Sequence, residues 1–303
     1  MSIALARISD AKKLLLADIS LLFVACVWGA SYAVAKEALI FVPVLSLIFF
    51  RFAITLIVLL PLTYKELAEA AIADILRGAL LGVILSMIFV AETFGVFYTT
   101  ATNAAFLISL CIIITPVLDS LLEGRRPPTT ILLCALCSCF GTGLMVYRSS
   151  FELNPGDFLI LGAAILRAVM VISTNRLLKD RPLTSTSLST VQFVVVAVIT
   201  GGTALFLHGP EGLSLPSDQA FWTALLFLAG FCTLGAFYIQ NAAVRFTNPT
   251  RVSFLMGTEP IFGALFAVLL LSEEITLETG TGAAIILIST YLGTRYAASI
   301  RAS

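Results

Sequence analysis

Four ionisable side chains lie inside long apolar stretches of the chain, where a charge needs a specific reason to be present. They are Arg51, Glu92, Arg167 and Glu259. A charged side chain at the centre of a bilayer costs about 2.5–3.5 kcal/mol on insertion scales. Depths estimated at about 1.5 Å per helical residue predict that Arg51 pairs with Glu92 and that Arg167 pairs with Glu259. Such pairs either brace helices, or contact a solute or carry a proton, and the sequence leaves both interpretations open.

Two prolines within apolar stretches, Pro116 and Pro260, are candidate helix breaks. A proline lacks the backbone N–H and clashes with the carbonyl four residues earlier, so it frees that carbonyl and bends the helix. The carbonyls concerned are near Ile112 and Met256. Because Pro260 directly follows Glu259, the Glu259 carboxylate is the sharper candidate for a functional charge.

Aromatic and polar side chains in the same stretches predict a cavity. For any one of them, packing or contact with lipid remains open as the alternative. As a set they suit an amphipathic solute, because polar groups hold the head of the solute while rings hold its body. The candidates are Trp28, Ser31, Tyr32, Phe94, Tyr98, Asn103, Phe237, Tyr238, Gln240 and Asn241.

Membrane helices must position these side chains. The chain has 303 residues, of which 59% are hydrophobic and 12% charged, about half the charge of a soluble domain. A bilayer core about 30 Å thick needs about 20 apolar residues in a helix, and the stretches are too long for strands and lack alternation. We therefore predict an all-α membrane protein with ten transmembrane helices, at 18–35, 42–63, 75–97, 101–122, 129–147, 156–177, 185–207, 220–242, 249–271 and 278–298.

The basic residues between these spans fall almost entirely on one side. One set of connections holds fourteen of them: Arg7, Lys12, Lys13, Lys65, Arg77, Arg125, Arg126, Arg176, Lys179, Arg181, Arg245, Arg251, Arg295 and Arg301. The other set holds Lys36 and Arg148. Cytoplasmic loops carry the excess of Lys and Arg, so we predict that both termini are cytoplasmic and that the chain is a multi-pass protein of the inner (plasma) membrane. Acidic residues such as Glu273 and Glu274 fall in the predicted outer loops.

The two halves of the chain share a pattern. DISLLFVACVWGASYAVAKE, from Asp18, resembles DFLILGAAILRAVMVISTNR, from Asp157, and TNAAFLISLCIIITPV resembles FTNPTRVSFLMGTEPI. We predict two five-span halves, residues 1–148 and 149–303. Because five is odd, the second half enters the membrane from the opposite side, which gives an inverted repeat of the kind found in many secondary transporters.

Several other chemistries are disfavoured by the residues present. Cys134, Cys137 and Cys139 have no His or carboxylate nearby to complete a metal site, so we expect no metal. The single His, His208, cannot build a zinc motif or a His-based triad, which makes a membrane-embedded enzyme the weaker alternative. No Walker or Gly-x-Gly-x-x-Gly motif is present, so we expect no nucleotide or other cofactor. A net charge of zero gives no basic face for nucleic acid.

Several short motifs resemble those of the drug/metabolite transporter superfamily. Trp28-Gly29-Ala30-Ser31-Tyr32 followed by Lys36 is similar to the opening motif, and Phe50-Arg51-Phe52 to the Arg-aromatic motif of the second span. Thr258-Glu259-Pro260 and the following LLLSEEIT resemble the ninth-span motif. The resemblance covers nearly the whole chain and is strongest to the ten-span EamA branch, in particular to YddG-type exporters of aromatic amino acids. Arg167 and the hairpin Glu123-Gly124-Arg125-Arg126 depart from that pattern.

The resemblance implies a secondary transporter that exports small metabolites, most of all amino acids, by alternating access around a central cavity. Its implied partners are a small-molecule solute and the lipid bilayer, with a monomer as the simplest assembly. A downhill facilitator and an exchanger of phosphorylated sugars or nucleotide-sugars remain as alternatives. The exchanger needs several cavity cations for phosphate, and only Arg51 and Arg167 are available.

Overall fold

The computed structural model describes residues 2–99, 101–146, 154–178, 183–271 and 276–300, and helix dominates these residues, which contain no strand. The predicted all-α class is therefore confirmed for this part of the chain. Arg148, Lys179, Arg181, Glu273, Glu274 and Arg301, which entered the charge comparison, lie outside the described residues.

Thirteen α-helices make up the described fold, and two of the connections are themselves helical. The α-helices are α1 (Ser2–Ala38), α2 (Val44–Glu69), α3 (Ile72–Tyr98), α4 (Ala101–Ser109), α5 (Cys111–Leu122), α6 (Thr129–Val146), α7 (Pro155–Leu178), α8 (Ser185–His208), α9 (Gln219–Ala229), α10 (Ala236–Phe246), α11 (Pro249–Met256), α12 (Glu259–Leu271) and α13 (Leu277–Ile300). A 3₁₀ turn, Pro210–Leu213, follows α8, and a π-helical turn, Gly230–Gly235, joins α9 to α10.

Within the described residues, seven helical stretches are long and apolar enough to cross a membrane. They are Lys12–Ala38, Val44–Glu69, Ile72–Tyr98, Asn103–Leu122, Pro155–Leu177, Ser185–His208 and Gln219–Val244, and a shorter apolar helix covers Thr129–Met145. Helix also occupies the predicted spans 249–271 and 278–298, although the first of these is interrupted. The count of ten crossings stays a prediction.

Two of the predicted spans are interrupted by residues that are not helical. The first break is at Leu110, between α4 and α5, and the second is at Gly257 and Thr258, between α11 and α12. Pro260 follows the second break and lies in the first turn of α12, where a proline costs no hydrogen bond. Pro116 lies inside α5, six residues after the break. The prediction that Pro116 itself breaks the helix is wrong, because α5 tolerates the one hydrogen bond that the proline removes.

The helices of the two predicted halves make corresponding contacts. The helix α2 packs against α8, and α6 packs against α13. The helix α3 packs against α7, while α1 packs against α9, the π-helical turn and α10. Likewise, α4 and α5 pack against α7, while α11 and α12 pack against α1. Each of these contacts thus has its counterpart in the other half, and the interrupted helices lie beside the first helix of the opposite half.

Candidate functional site

Arg167 on α7 holds two carboxylates from two other helices. Its Nη2 lies 3.0 Å from Oε2 of Glu92 on α3, and its Nη1 lies 3.2 Å from Oε2 of Glu259 on α12. The side chains are 16%, 13% and 3% exposed, respectively, so all three charges are withdrawn from solvent. Two carboxylates share one guanidinium, which leaves this triad of Arg167, Glu92 and Glu259 with a formal charge of minus one.

The predicted pairing of Arg51 with Glu92 is wrong. The Nε of Arg51, on α2, donates a hydrogen bond to Oγ1 of Thr233 in the π-helical turn. Its guanidinium carbon lies 4.8 Å from the centre of the Phe89 ring. Arg51 and Glu92 are close enough to interact electrostatically, but Glu92 takes its hydrogen bonds from Arg167. A depth estimate from the sequence could not supply Arg167 as a competitor from a third helix.

A run of aromatic rings connects the guanidinium groups of Arg51 and Arg167. Phe89, under Arg51, lies 5.7 Å from Phe237, and Phe237 lies 5.2 Å from Trp28 between ring centres. The guanidinium carbon of Arg167 lies 4.9 Å from the centre of the Trp28 ring. Each cation therefore faces the end of one continuous aromatic surface, which is a favourable position for a partly desolvated guanidinium.

This aromatic surface forms part of a small central cavity with a volume of about 50 Å³. Ligand pockets commonly measure about 300–1,000 Å³, so the helices must separate before a solute fits. The walls come from α1, α2, α3, α5, α7, α10 and α11. The lining residues are Trp28, Ser31, Arg51, Leu85, Ile88, Phe89, Glu92, Cys111, Thr115, Arg167, Met170, Val171, Phe237, Gln240, Val252, Ser253 and Met256.

Four of the ten predicted cavity residues line this space, namely Trp28, Ser31, Phe237 and Gln240. Tyr32 is buried and interacts electrostatically with Glu259. Phe94, Tyr98, Asn103, Tyr238 and Asn241 do not line this space. Tyr98 is 57% exposed and stacks on Phe94 near the end of α3, and Tyr238 is 49% exposed beside a lateral groove.

Asn241 has a packing role instead of a cavity position. Its Nδ2 donates to Oγ of Ser189 at 2.9 Å and to Oε1 of Gln192 at 3.1 Å, so it ties α10 to α8. Residue type alone could not separate this face of α10 from the face that carries Phe237 and Gln240. Phe89 lines the cavity but was not among the residues predicted from the sequence, although it lies three residues before Glu92 and therefore on the same face of α3.

Two buried polar atoms beside the triad lack a satisfactory hydrogen bond. They are Oε1 of Glu259 and the hydroxyl oxygen of Tyr32. Buried polar atoms are nearly always paired, because an unpaired one costs about 1–3 kcal/mol. These two atoms belong to side chains that interact with each other, so a small movement would let the Tyr32 hydroxyl donate to Glu259.

A wider cavity of about 390 Å³ lies at the end of the bundle that carries Arg125 and Arg176. Here Nη2 of Arg176, on α7, lies 3.0 Å from Oδ1 of Asp119 on α5. This vestibule includes Pro116 and Thr247, whose buried hydroxyl has no hydrogen-bond partner. Because Cys111 and Thr115 of the same helix line the central cavity, the vestibule and the central cavity occupy successive levels along α5.

Trp28 offers a direct test of how the cavity wall is held. Its Nε1 donates to the carbonyl of Cys232 in the π-helical turn at 2.8 Å. We expect Trp28→Phe to keep the ring beneath Arg167 but to destabilise the protein by about 1–3 kcal/mol, because a buried carbonyl loses its donor. The measurement is the unfolding midpoint in detergent. Trp222→Phe is the matched control, because Trp222 donates to a loop carbonyl near the surface, and equal shifts in the two variants would contradict this role.

Comparison with known proteins identifies the family. The sequence model of the EamA-like transporter family matches residues 15–147 and again residues 154–295. The chain therefore belongs to the EamA-like transporter family, within the drug/metabolite transporter superfamily. It is a multi-pass membrane transporter, and the expected family is confirmed.

Similar proteins carry the same general description. A protein of Archaeoglobus fulgidus named "Uncharacterized transporter" is 26% identical over 285 residues, which are 93% of this chain and 86% of that protein. A Haemophilus influenzae protein of the same name is 29% identical over 123 residues, 41% of this chain and 70% of that protein. A solved structure described as "Crystal structure of protein" has a TM-score of 0.76 over 94% of this chain and 98% of that chain, and at 16% identity it supports the fold alone.

Proposed function

We propose that this EamA-family transporter is a secondary carrier that exports amino acids, above all neutral and aromatic ones, across the inner membrane. The observation that carries the proposal is the buried triad of Arg167, Glu92 and Glu259 at the wall of an aromatic cavity. Charges buried in a membrane protein mark substrate or ion pathways. A cavity that combines both signs of charge with rings suits a solute that has charged groups and an apolar body.

Alternating access is supported by the relation between the halves. The family model matches twice, once on each side of the division proposed between residues 148 and 149. The corresponding contacts of α2 with α8 and of α6 with α13 are those that a two-fold axis between inverted halves would give. In this proposal the halves rock about the central cavity, as in other carriers with inverted repeats.

The position of the vestibule is compatible with export. The 390 Å³ vestibule lies beside Arg125 and Arg176, on the side that the charge asymmetry assigns to the cytoplasm. Both termini are cytoplasmic in this proposal. A cytoplasmic solute would enter the vestibule first and reach the triad when the narrow central cavity widens.

The test is efflux from proteoliposomes loaded with one labelled solute at a time. The panel contains neutral aromatic amino acids, aliphatic amino acids, a cationic drug and a sugar phosphate. We expect efflux of the aromatic and aliphatic amino acids well above that from protein-free liposomes. Efflux of the sugar phosphate alone would favour the exchanger alternative and overturn the proposed substrate class.

The same proteoliposomes distinguish coupled transport from downhill transport. The best amino acid is placed at equal concentration inside and outside, and its net movement is followed under an imposed pH gradient before and after a protonophore collapses that gradient. In the carrier that we propose, the deeply buried Glu259 takes up the coupling proton, so net movement against the solute gradient should stop. Movement that never exceeds equilibrium, with or without the gradient, would identify a facilitator.

A further inference from the structure

Arg51 is a buried cation without a carboxylate partner among the described residues. It is 8% exposed, and it lines the central cavity. Its Nε is engaged by Thr233, and one face of the guanidinium covers Phe89. The contacts with Thr233 and Phe89 fix the plane of the guanidinium. Because a guanidinium has five N–H donors in a fixed fork, most of them remain to bind a ligand in the cavity.

Glu92 presents negative charge to the same cavity. Both of its carboxylate oxygens accept from a single nitrogen, Nη2 of Arg167, at 3.2 and 3.0 Å. Arg167 also forms an ion pair with Glu259, which does not line the cavity. Glu92 is therefore the acid of the triad that faces the cavity, and its charge is only partly balanced.

The side chains of Arg51 and Glu92 line the same cavity but do not form an ion pair with each other. Arg51 is anchored by the π-helical turn and Glu92 by Arg167, so neither is free to close the gap onto the other. A separated, oriented cation and anion form a site for a molecule that carries both charges.

We propose that Arg51 binds the carboxylate, and Glu92 the ammonium group, of a zwitterionic amino acid in the central cavity. This inference rests on the proposed function and assigns the head-group contacts within it. The guanidinium fork matches a carboxylate in a bidentate manner. The rings of Phe89, Phe237 and Trp28 would then contact the side chain of the solute.

The charge balance disfavours solutes with one charge. A solute that is only anionic would meet Arg51 but would be repelled by Glu92, and a purely cationic solute would face the reverse. A zwitterion satisfies both groups and adds no net charge to the membrane interior. We therefore expect the wild-type protein to prefer phenylalanine to both phenylalaninamide, which lacks the carboxylate, and 3-phenylpropionate, which lacks the ammonium group.

The experiment measures inhibition of labelled phenylalanine efflux by these three compounds, in wild type and in Arg51→Gln and Glu92→Gln variants. We expect Arg51→Gln to weaken the apparent affinity for phenylalanine and 3-phenylpropionate roughly 10–100-fold but to leave that for phenylalaninamide near the wild-type value. Glu92→Gln should weaken the apparent affinity for phenylalanine and for phenylalaninamide by a similar factor and should leave that for 3-phenylpropionate near the wild-type value. Each variant thus acquires its own order of preference.

The deciding measurement is the ratio of the apparent affinities for the three compounds within one variant. A loss of folded protein affects the signal for all three compounds equally and leaves this ratio unchanged. Arg51→Lys keeps the charge without the fork and should lie between wild type and Arg51→Gln, and it replaces Arg51→Gln if that variant does not fold. Glu92→Asp keeps the charge at position 92, should lie between wild type and Glu92→Gln, and replaces Glu92→Gln if that variant does not fold. If wild type transports phenylalanine but the variants lose apparent affinity for all three compounds by the same factor, the head-group assignment is overturned while the proposed function stands. If wild type ignores every amino acid, the proposed function fails, and this assignment fails with it.

Discussion

Arg167→Ala is expected to lower the initial rate of amino-acid efflux from proteoliposomes at least about tenfold. The substitution leaves Glu92 and Glu259 buried side by side without their shared partner. Removing one partner of a buried ion pair costs about 3–5 kcal/mol, because the remaining charge is uncompensated. The unfolding midpoint in detergent should therefore fall together with the transport rate.

The control for this prediction lies on the same helix. Arg176 also pairs with two carboxylates, those of Asp119 and Glu123, but its side chain is 37% exposed in the vestibule, so Arg176→Ala should cost much less stability. Adding Glu259→Gln to Arg167→Ala removes one of the two carboxylate charges that the loss of Arg167 leaves unpaired. We expect it to recover part of the lost stability without recovering transport. Wild-type transport in Arg167→Ala, at equal amounts of folded protein, would show that the triad only braces the helices.

Gly29→Ala is expected to destabilise the protein by about 1–3 kcal/mol and to impair transport, because it forces α1 away from α12. A Cβ at Gly29 would lie 2.7 Å from the carbonyl oxygen of Glu259 and 2.8 Å from the backbone nitrogen of Gly263. Overpacking of this kind costs about 1–3 kcal/mol, and backbone atoms cannot rotate away as side chains do. The displaced helix carries Glu259, so the geometry of the triad should change with it.

Gly162→Ala, on α7, provides the matched control, because a Cβ there meets no atom within 4 Å. Alanine is favoured over glycine in a helix by about 0.8–1.0 kcal/mol, so Gly162→Ala should be neutral or slightly stabilising. The measurement is the unfolding midpoint of each variant, with efflux as the second readout. A Gly29→Ala protein as stable and active as Gly162→Ala would contradict the close approach of α1 and α12.

The helical class and the family were predictable from the sequence, because a bilayer imposes a length and an apolar composition that few other structures share. The pair of Arg167 with Glu259 was also within reach, since both lie near the middle of their spans. The role of Glu92 as the second carboxylate on Arg167 was not. It depends on which faces of three helices meet, and that is decided by packing rather than by depth.

Helical rotation also explains why most of the other predicted site residues lie away from the central cavity. Phe237 and Tyr238 are neighbours in sequence, yet Phe237 lines the cavity and Tyr238 faces a lateral groove, because adjacent helical residues point about 100° apart. The π-helical turn that positions Thr233 for Arg51 adds a further rotation that no repeat of apolar residues indicates. In Pro116, the sequence identified a distorted span but not the position of its break at Leu110.

Counterflow tests the central claim, that the charged cavity belongs to a carrier, more directly than any other measurement. Proteoliposomes are loaded with a high concentration of unlabelled phenylalanine and diluted into a trace of labelled phenylalanine. A carrier with alternating access must accumulate the label transiently above equilibrium, and we expect this in wild type but not in Arg167→Ala. Label that only equilibrates in wild type, at a rate that does not saturate with solute, would contradict the carrier mechanism.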